Sequence, residues 1–184
     1  MQILKHPGPV SGLIFHCAVL VLLFLAAAGQ AIAQESPPPG SVIPFAAFEP
    51  RIELERRDEA RGSRLRLKAP IVLDITSDGL DVPADPVSLT ITGAAGDGLS
   101  FSISAGSFEP YRTRYRFDGI LEGTSVSAQI SPAGKDDLGR DLYDFLLEAR
   151  GADLAGLDNP LTVELVIGND AGLATVTARP PERE

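Results

Sequence analysis

Tryptophan is absent from this 184-residue chain, and cysteine and methionine occur once each. The histidines are His6 and His16 and the cysteine is Cys17, so beyond that point the chain carries no imidazole and no thiol. A Ser-His-Asp or Cys-His nucleophile therefore has no base. Zinc, copper and iron sites lose their usual ligands. A single cysteine closes no internal disulfide, so burial and strand pairing must hold the fold. A Ser-Lys dyad would need Lys68 or Lys135, the only lysines after Lys5, and neither stands in a recognisable motif. No G-x-x-x-x-G-K-[ST] or G-x-G-x-x-G run joins a strand to a helix. Platforms for stacking a sugar are scarce, with no Trp and three Tyr. Paired carboxylates alone stay open, because their spacing is spatial and not sequential. The expectation is a protein that is not an enzyme.

What is present begins with an export signal. Lys5 is followed by an apolar stretch from Leu13 to Ala28, then Gly29 and the small-residue site Ala31-Ile32-Ala33. A charged start, an apolar centre and an A-x-A site make a signal peptide over residues 1–33, with cleavage before Gln34. An uncleaved anchor is the alternative, but the apolar centre is shorter than the ~20 residues that span a bilayer. Cys17 lies early in the apolar run, where a lipidated cysteine should follow it, so lipidation is rejected. The expected location is secreted or periplasmic, with no membrane insertion after cleavage.

Cleavage removes Lys5 from the 16 basic residues and none of the 25 acidic ones, leaving a formal charge of 15 − 25 = −10. Such a chain repels nucleic acid and anionic lipid at long range, which argues against both as partners. Residues 34–49, with Ser36-Pro-Pro-Pro-Gly40, read as a Pro-rich linker. Residues 179–184 read as a disordered tail, leaving one domain over 50–178.

In that domain the dominant period is two. Ser63–Ala69, Val87–Thr92, Leu99–Ser104 and Leu161–Ile167 alternate apolar and polar residues, with Gly-, Asp- and Pro-rich breaks between them. Short half-buried strands separated by frequent turns predict an all-β fold, an antiparallel Ig-like β-sandwich. Pro50–Gly62 has helical features, yet Ile52 and Leu54 alternate. Pairing Leu54 with Leu67 sets Glu55 opposite Arg66 and Glu53 opposite Lys68, so a hairpin is expected there. Leu142–Ala149 is read as a strand, although Leu142, Phe145 and Leu146 also fit helical spacing.

Pro86-Val-Ser-Leu89-Thr-Ile91 matches Pro160-Leu-Thr-Val163-Glu-Leu165 at an offset of 74 residues, and Gly98-Leu99 matches Gly172-Leu173 at the same offset. Either any two hairpins look this alike, or the domain holds two related β-meander halves about a pseudo-twofold axis.

Leu65-Arg-Leu67-Lys68, Ile103-Ser-Ala-Gly-Ser-Phe108, Arg116-Phe117-Asp-Gly119, Gly151–Pro160 and Ile167-Gly168-Asn-Asp-Ala-Gly172 together resemble a pattern in secreted bacterial proteins of unknown function. The resemblance covers roughly residues 50–178 and implies a β fold in an envelope setting. It implies no catalytic residues. The acidic insert Asp74–Asp85 departs from the pattern by its length.

Two segments are candidate ligand sites. Asp74, Thr76, Asp78, Asp81 and Asp85, with Gly79, loosely echo a calcium loop, which makes Asp74, Asp78, Asp81 and Asp85 candidate calcium ligands. The plainer alternative is that these residues make turns through their own side chains. In Tyr111–Phe117, strand alternation would place Arg112, Arg114 and Arg116 on one face, a ladder suited to an acidic glycan or phosphate. The alternative there is a solvent face neutralised by acidic neighbours. The leading expectation is a non-catalytic envelope or extracellular module that binds an unknown protein or glycan, or acts structurally. A calcium-stabilised carbohydrate-binding domain is second, and a carboxylate-based hydrolase third.

Overall fold

The computed structural model describes residues 42–56 and 62–181, so the signal-peptide expectation lies outside the described residues. Among them there is no helix, and hence none long and apolar enough to cross a membrane. The strands in chain order are β1 (Ile43–Pro44), β2 (Ala47–Phe48), β3 (Arg51–Glu55), β4 (Arg64–Val72), β5 (Val87–Thr92) and β6 (Gly98–Ile103). They continue with β7 (Glu109–Tyr111), β8 (Arg114–Leu121), β9 (Thr124–Lys135), β10 (Asp141–Arg150), β11 (Leu161–Ile167) and β12 (Asp170–Val176).

They form two open sheets. One has five strands in the order β1-β12-β11-β5-β6, antiparallel except where β1 joins β12. The other has seven, in the order β2-β4-β10-β9-β8-β7, with β3 beside β2 on the same edge of β4. Alternation along each strand turns one set of side chains inward. Leu65, Leu67, Ala69 and Ile71 of β4 and Phe145, Leu147 and Ala149 of β10 come from the larger sheet. Leu89 and Ile91 of β5 and Leu161, Val163, Leu165 and Ile167 of β11 come from the smaller, and all belong to one buried cluster. The fold is sandwich-like, as its alternation implies.

The ambiguous segment before Arg150 is a strand: β10 pairs along its length with β4 on one side and β9 on the other. Its helical spacing is incidental, since the buried positions are every second residue. The hairpin at residues 51–69 forms, but its register differs by two. Leu54 faces Leu65, Glu53 faces Arg66 and Arg51 faces Lys68. A shift of two keeps every side chain on its own face, so hydrophobic patterning cannot choose between these registers.

The domain also starts earlier than Pro50. Within the segment read as linker, β1 belongs to the small sheet and β2 to the large one, with Phe45 buried between them. Gly172 of β12 makes room for this crossing, because a Cβ there would lie 2.5 Å from Phe45 and 2.7 Å from Phe48. At the other end Arg179, read as tail, is bound to β3. Its amide donates to the Ile52 carbonyl and its carbonyl accepts from the Leu54 amide.

The first strands of the suggested repeat are neighbours in one sheet. β5 and β11 lie side by side, antiparallel, and Thr90 faces Glu164, its partner at the 74-residue offset. A pseudo-twofold axis therefore passes through that pair and relates the hairpins β5–β6 and β11–β12. The second strands break the relation. A five-residue loop pairs Thr92 with Gly98, whereas a two-residue loop pairs Ile167 with Asp170. The registers differ by one residue, which reverses the facing: Leu99 packs on the core and Leu173 is 70% exposed.

Candidate functional site

The outer face of the seven-stranded sheet is where charge is organised. Odd and even positions alternate across β8, β9, β10, β4 and β3, so the polar set of each strand meets its neighbour's. Asp118, Ser127, Glu148, Arg66 and Glu53 make one row, and Ile120, Ser125, Arg150, Arg64 and Glu55 the next. A third row runs Arg116, Gln129, Leu146, Lys68, Arg51.

Glu148 anchors the centre of this face. Its Oε2 accepts from Arg64 at 2.7 Å and its Oε1 from Arg150 at 2.6 Å. Burial works against ionisation, but the two guanidinium hydrogen bonds outweigh it and hold the carboxyl below its ordinary range. With Arg116, Asp118, Ser125, Ser127 and Arg150 it lines a shallow groove of about 330 Å³.

A second groove, of about 430 Å³, lies at the β3 edge of the same sheet, lined by Pro50, Arg51, Ile52, Glu53, Arg66, Lys68, Val176, Thr177, Arg179 and Pro180. Four of these are cations and one is an acid. Sequence reasoning missed the groove, because the register that it preferred set Glu53 opposite Lys68 and so neutralised the charge.

Arg112, Arg114 and Arg116 do not form a ladder. Residues 111–117 are not one strand: β7 ends at Tyr111, Arg112 sits in the hairpin turn with φ 58°, and β8 begins at Arg114. The Arg112 and Arg114 guanidiniums lie 5.6 and 5.2 Å from the Tyr111 ring centroid, while Arg116 donates to Asp118 at 3.0 Å. The turn accounts for the difference, since it breaks the alternation on which the ladder depended.

Of the four candidate calcium ligands, two are occupied in turns. Asp74 Oδ1 accepts from the Thr76 amide and hydroxyl, which holds its carboxyl below the usual range. Asp85 Oδ2 accepts from the Asp81 amide at 2.8 Å. Asp78, Asp81 and Asp85 share a groove of about 250 Å³ with Tyr143 and Asn169. Among the described residues no three His, Cys, Asp or Glu side chains are placed to hold a metal ion. Asp74 and Asp85 thus act as turn formers in this arrangement.

In the sequence Asp170 stands as one more loop oxygen beside Asn169. Asp170, the first residue of β12, is fully buried, with Oδ2 accepting from the Ser77 hydroxyl at 3.0 Å and Oδ1 without a partner among the described residues. Burial pushes its carboxyl up to about 6; the Ser77 bond opposes this, and the charges of Asp78, Asp85 and Asp74 add to it. Only its position in the register buries it: an Asp beside a two-residue turn looks, in sequence, like any other turn residue.

No family model, curated protein or solved structure matches this chain.

Proposed function

We propose that this chain is an exported, non-catalytic Ig-like β-sandwich, working in the envelope or outside the cell as a binding module. Its working surface in this reading is the polar outer face of the seven-stranded sheet. The observation that carries the reading is the organisation of charge into cross-strand rows over five adjacent strands. A wide polar platform with shallow grooves suits a partner's surface or an extended ligand better than it suits chemistry on an enclosed small molecule. The N-terminal strand that serves both sheets supports the Ig-like form, and the Leu13–Ala33 pattern supports export.

The test has two parts. Protein recovered after export should begin at Gln34 by mass spectrometry. Ser127→Tyr, a bulky change at the middle of the platform, should lose the partner that the unaltered protein retains from envelope extract while keeping its melting temperature. Full retention by that variant would remove the sheet face as the working surface.

A further inference from the structure

Each cation among the described residues has an identifiable fate. Arg56, Arg64, Arg116, Lys135, Arg140 and Arg150 pair with carboxylates. Arg112 and Arg114 lie over Tyr111. The four that remain, Arg51, Arg66, Lys68 and Arg179, make no ion pair among the described residues, and all four line the groove at β3. We infer that this groove binds a small polyanion, a ligand bearing two or three carboxylate or phosphate groups. The inference rests on the reading of the sheet face as the working surface and supplies its ligand class.

Three observations point to an anion. Arg51 stands directly opposite Lys68, and like charges opposed across a strand pair are unfavourable unless something between them is negative. Arg66 Nε is buried with no acceptor among the described residues, so a donor is already desolvated beside the groove. Arg179 has its backbone held there by two hydrogen bonds to β3, of 2.9 and 3.1 Å, which keeps its side chain within reach of the groove that it lines. Glu53, opposite Arg66, is the only acid in the lining.

The spacing favours several anionic groups over one. Arg66 and Lys68 are successive residues on one face of β4, about 6.7 Å apart, and Arg51 lies about 5 Å across from Lys68. Arginine's planar fork takes either a carboxylate or a phosphate through two parallel hydrogen bonds. A chain of net charge −9 repels a long polyanion, but a Debye length of about 8 Å at physiological salt screens the distant acids from a short one. Within that radius the acids Glu53 and Glu148 flank Arg66, but Glu148 is already paired with Arg64 and Arg150, so the four cations outweigh what remains.

Titration calorimetry on the exported protein, with pyrophosphate and with trigalacturonate as separate probes, tests this and separates the two sources of charge. At least one probe should bind, with affinity falling as salt rises from 20 to 300 mM. Arg51→Gln with Lys68→Gln should weaken binding at least tenfold, and Arg112→Gln with Arg114→Gln should leave it unchanged. The Arg51/Lys68 variant should melt no lower than the parent, because it relieves an opposed like-charge pair. Absence of heat with both probes, or equal binding by the Arg51/Lys68 variant, would each overturn the inference. A silent titration beside a partner lost on Ser127→Tyr would remove the ligand class and leave the binding-module reading standing.

Discussion

Ser77 donates its hydroxyl to Oδ2 of Asp170 at 3.0 Å, and among the described residues nothing donates to Oδ1. The pair joins the loop after β4 to the first residue of β12. It also leaves a buried carboxylate half satisfied beside Asp78, Asp85 and Asp74, which raises its proton affinity. The folded value of about 6 exceeds the free value of 3.8, so the folded state holds the proton more tightly. The stability from this group is fully present below about pH 3.8 and is lost as pH rises through about 6, a change of roughly 3 kcal/mol.

Asp170→Asn should therefore stabilise the protein at pH 8 by about 2 kcal/mol and change it little at pH 4, read from urea unfolding midpoints. An amide removes the buried charge and still accepts from Ser77. Destabilisation at pH 8 would mean that the carboxylate has a cationic partner in solution, and would reopen the metal question at this loop.

Glu148 titrates in the opposite direction. Its folded value lies below the free 4.5, so the stability it brings is present above that value and is lost as pH falls through the lower, folded one. Glu148→Gln breaks the bridge to Arg64 and Arg150 and should cost about 1–2 kcal/mol at pH 7, a hydrogen-bonded charge pair that is only partly buried. The deficit should shrink on acidification toward pH 3. A constant deficit from pH 3 to pH 7 would show that packing, not ionisation, is what the substitution removes.

Gly93 is held against the loop that leads into β11. A Cβ there would lie 2.0 Å from the Gly156 carbonyl oxygen, and the next residue's amide donates to the Asp158 carbonyl at 3.0 Å. Backbone cannot yield as a flexible side chain can. Gly93→Ala should cost about 3 kcal/mol or more. Gly96→Ala in the same loop meets nothing within 4 Å and bears only the strain of φ +93°, about 1 kcal/mol. Equal melting temperatures for the two variants would rule out the close approach.

Which features were legible in the sequence follows from the physics of each. Alternation at Leu65–Ala69, Val87–Ile91 and Leu161–Ile167 reports a two-residue period directly, so the strands and their buried faces were readable. Register was not. Arg51 faces Lys68 instead of Glu53 because a shift of two leaves the buried pattern intact, and cross-strand charge is too weak a term to decide it. The cationic groove was hidden by that one ambiguity. Asp170 was hidden by another: its burial follows from a turn of two residues where the related hairpin has five.

The same difference in turn length gives a direct test of the pseudo-twofold. If the repeat extended through both strands of each hairpin, Leu99 and Leu173 would be equivalent and equally costly to truncate. They are not equivalent. Thr92 pairs with Gly98, but Ile167 pairs with Asp170, so β12 is one residue out of step with β6 and presents the opposite face. Leu99 is half-buried against the core, whereas Leu173 is 70% exposed. Leu99→Ala should cost about 1–2 kcal/mol, part of the value of a fully buried leucine. Leu173→Ala should fall within about 0.5 kcal/mol of the parent. Matching losses in chemical denaturation would show that β12 is in register with β6 after all, and Asp170 would then face solvent.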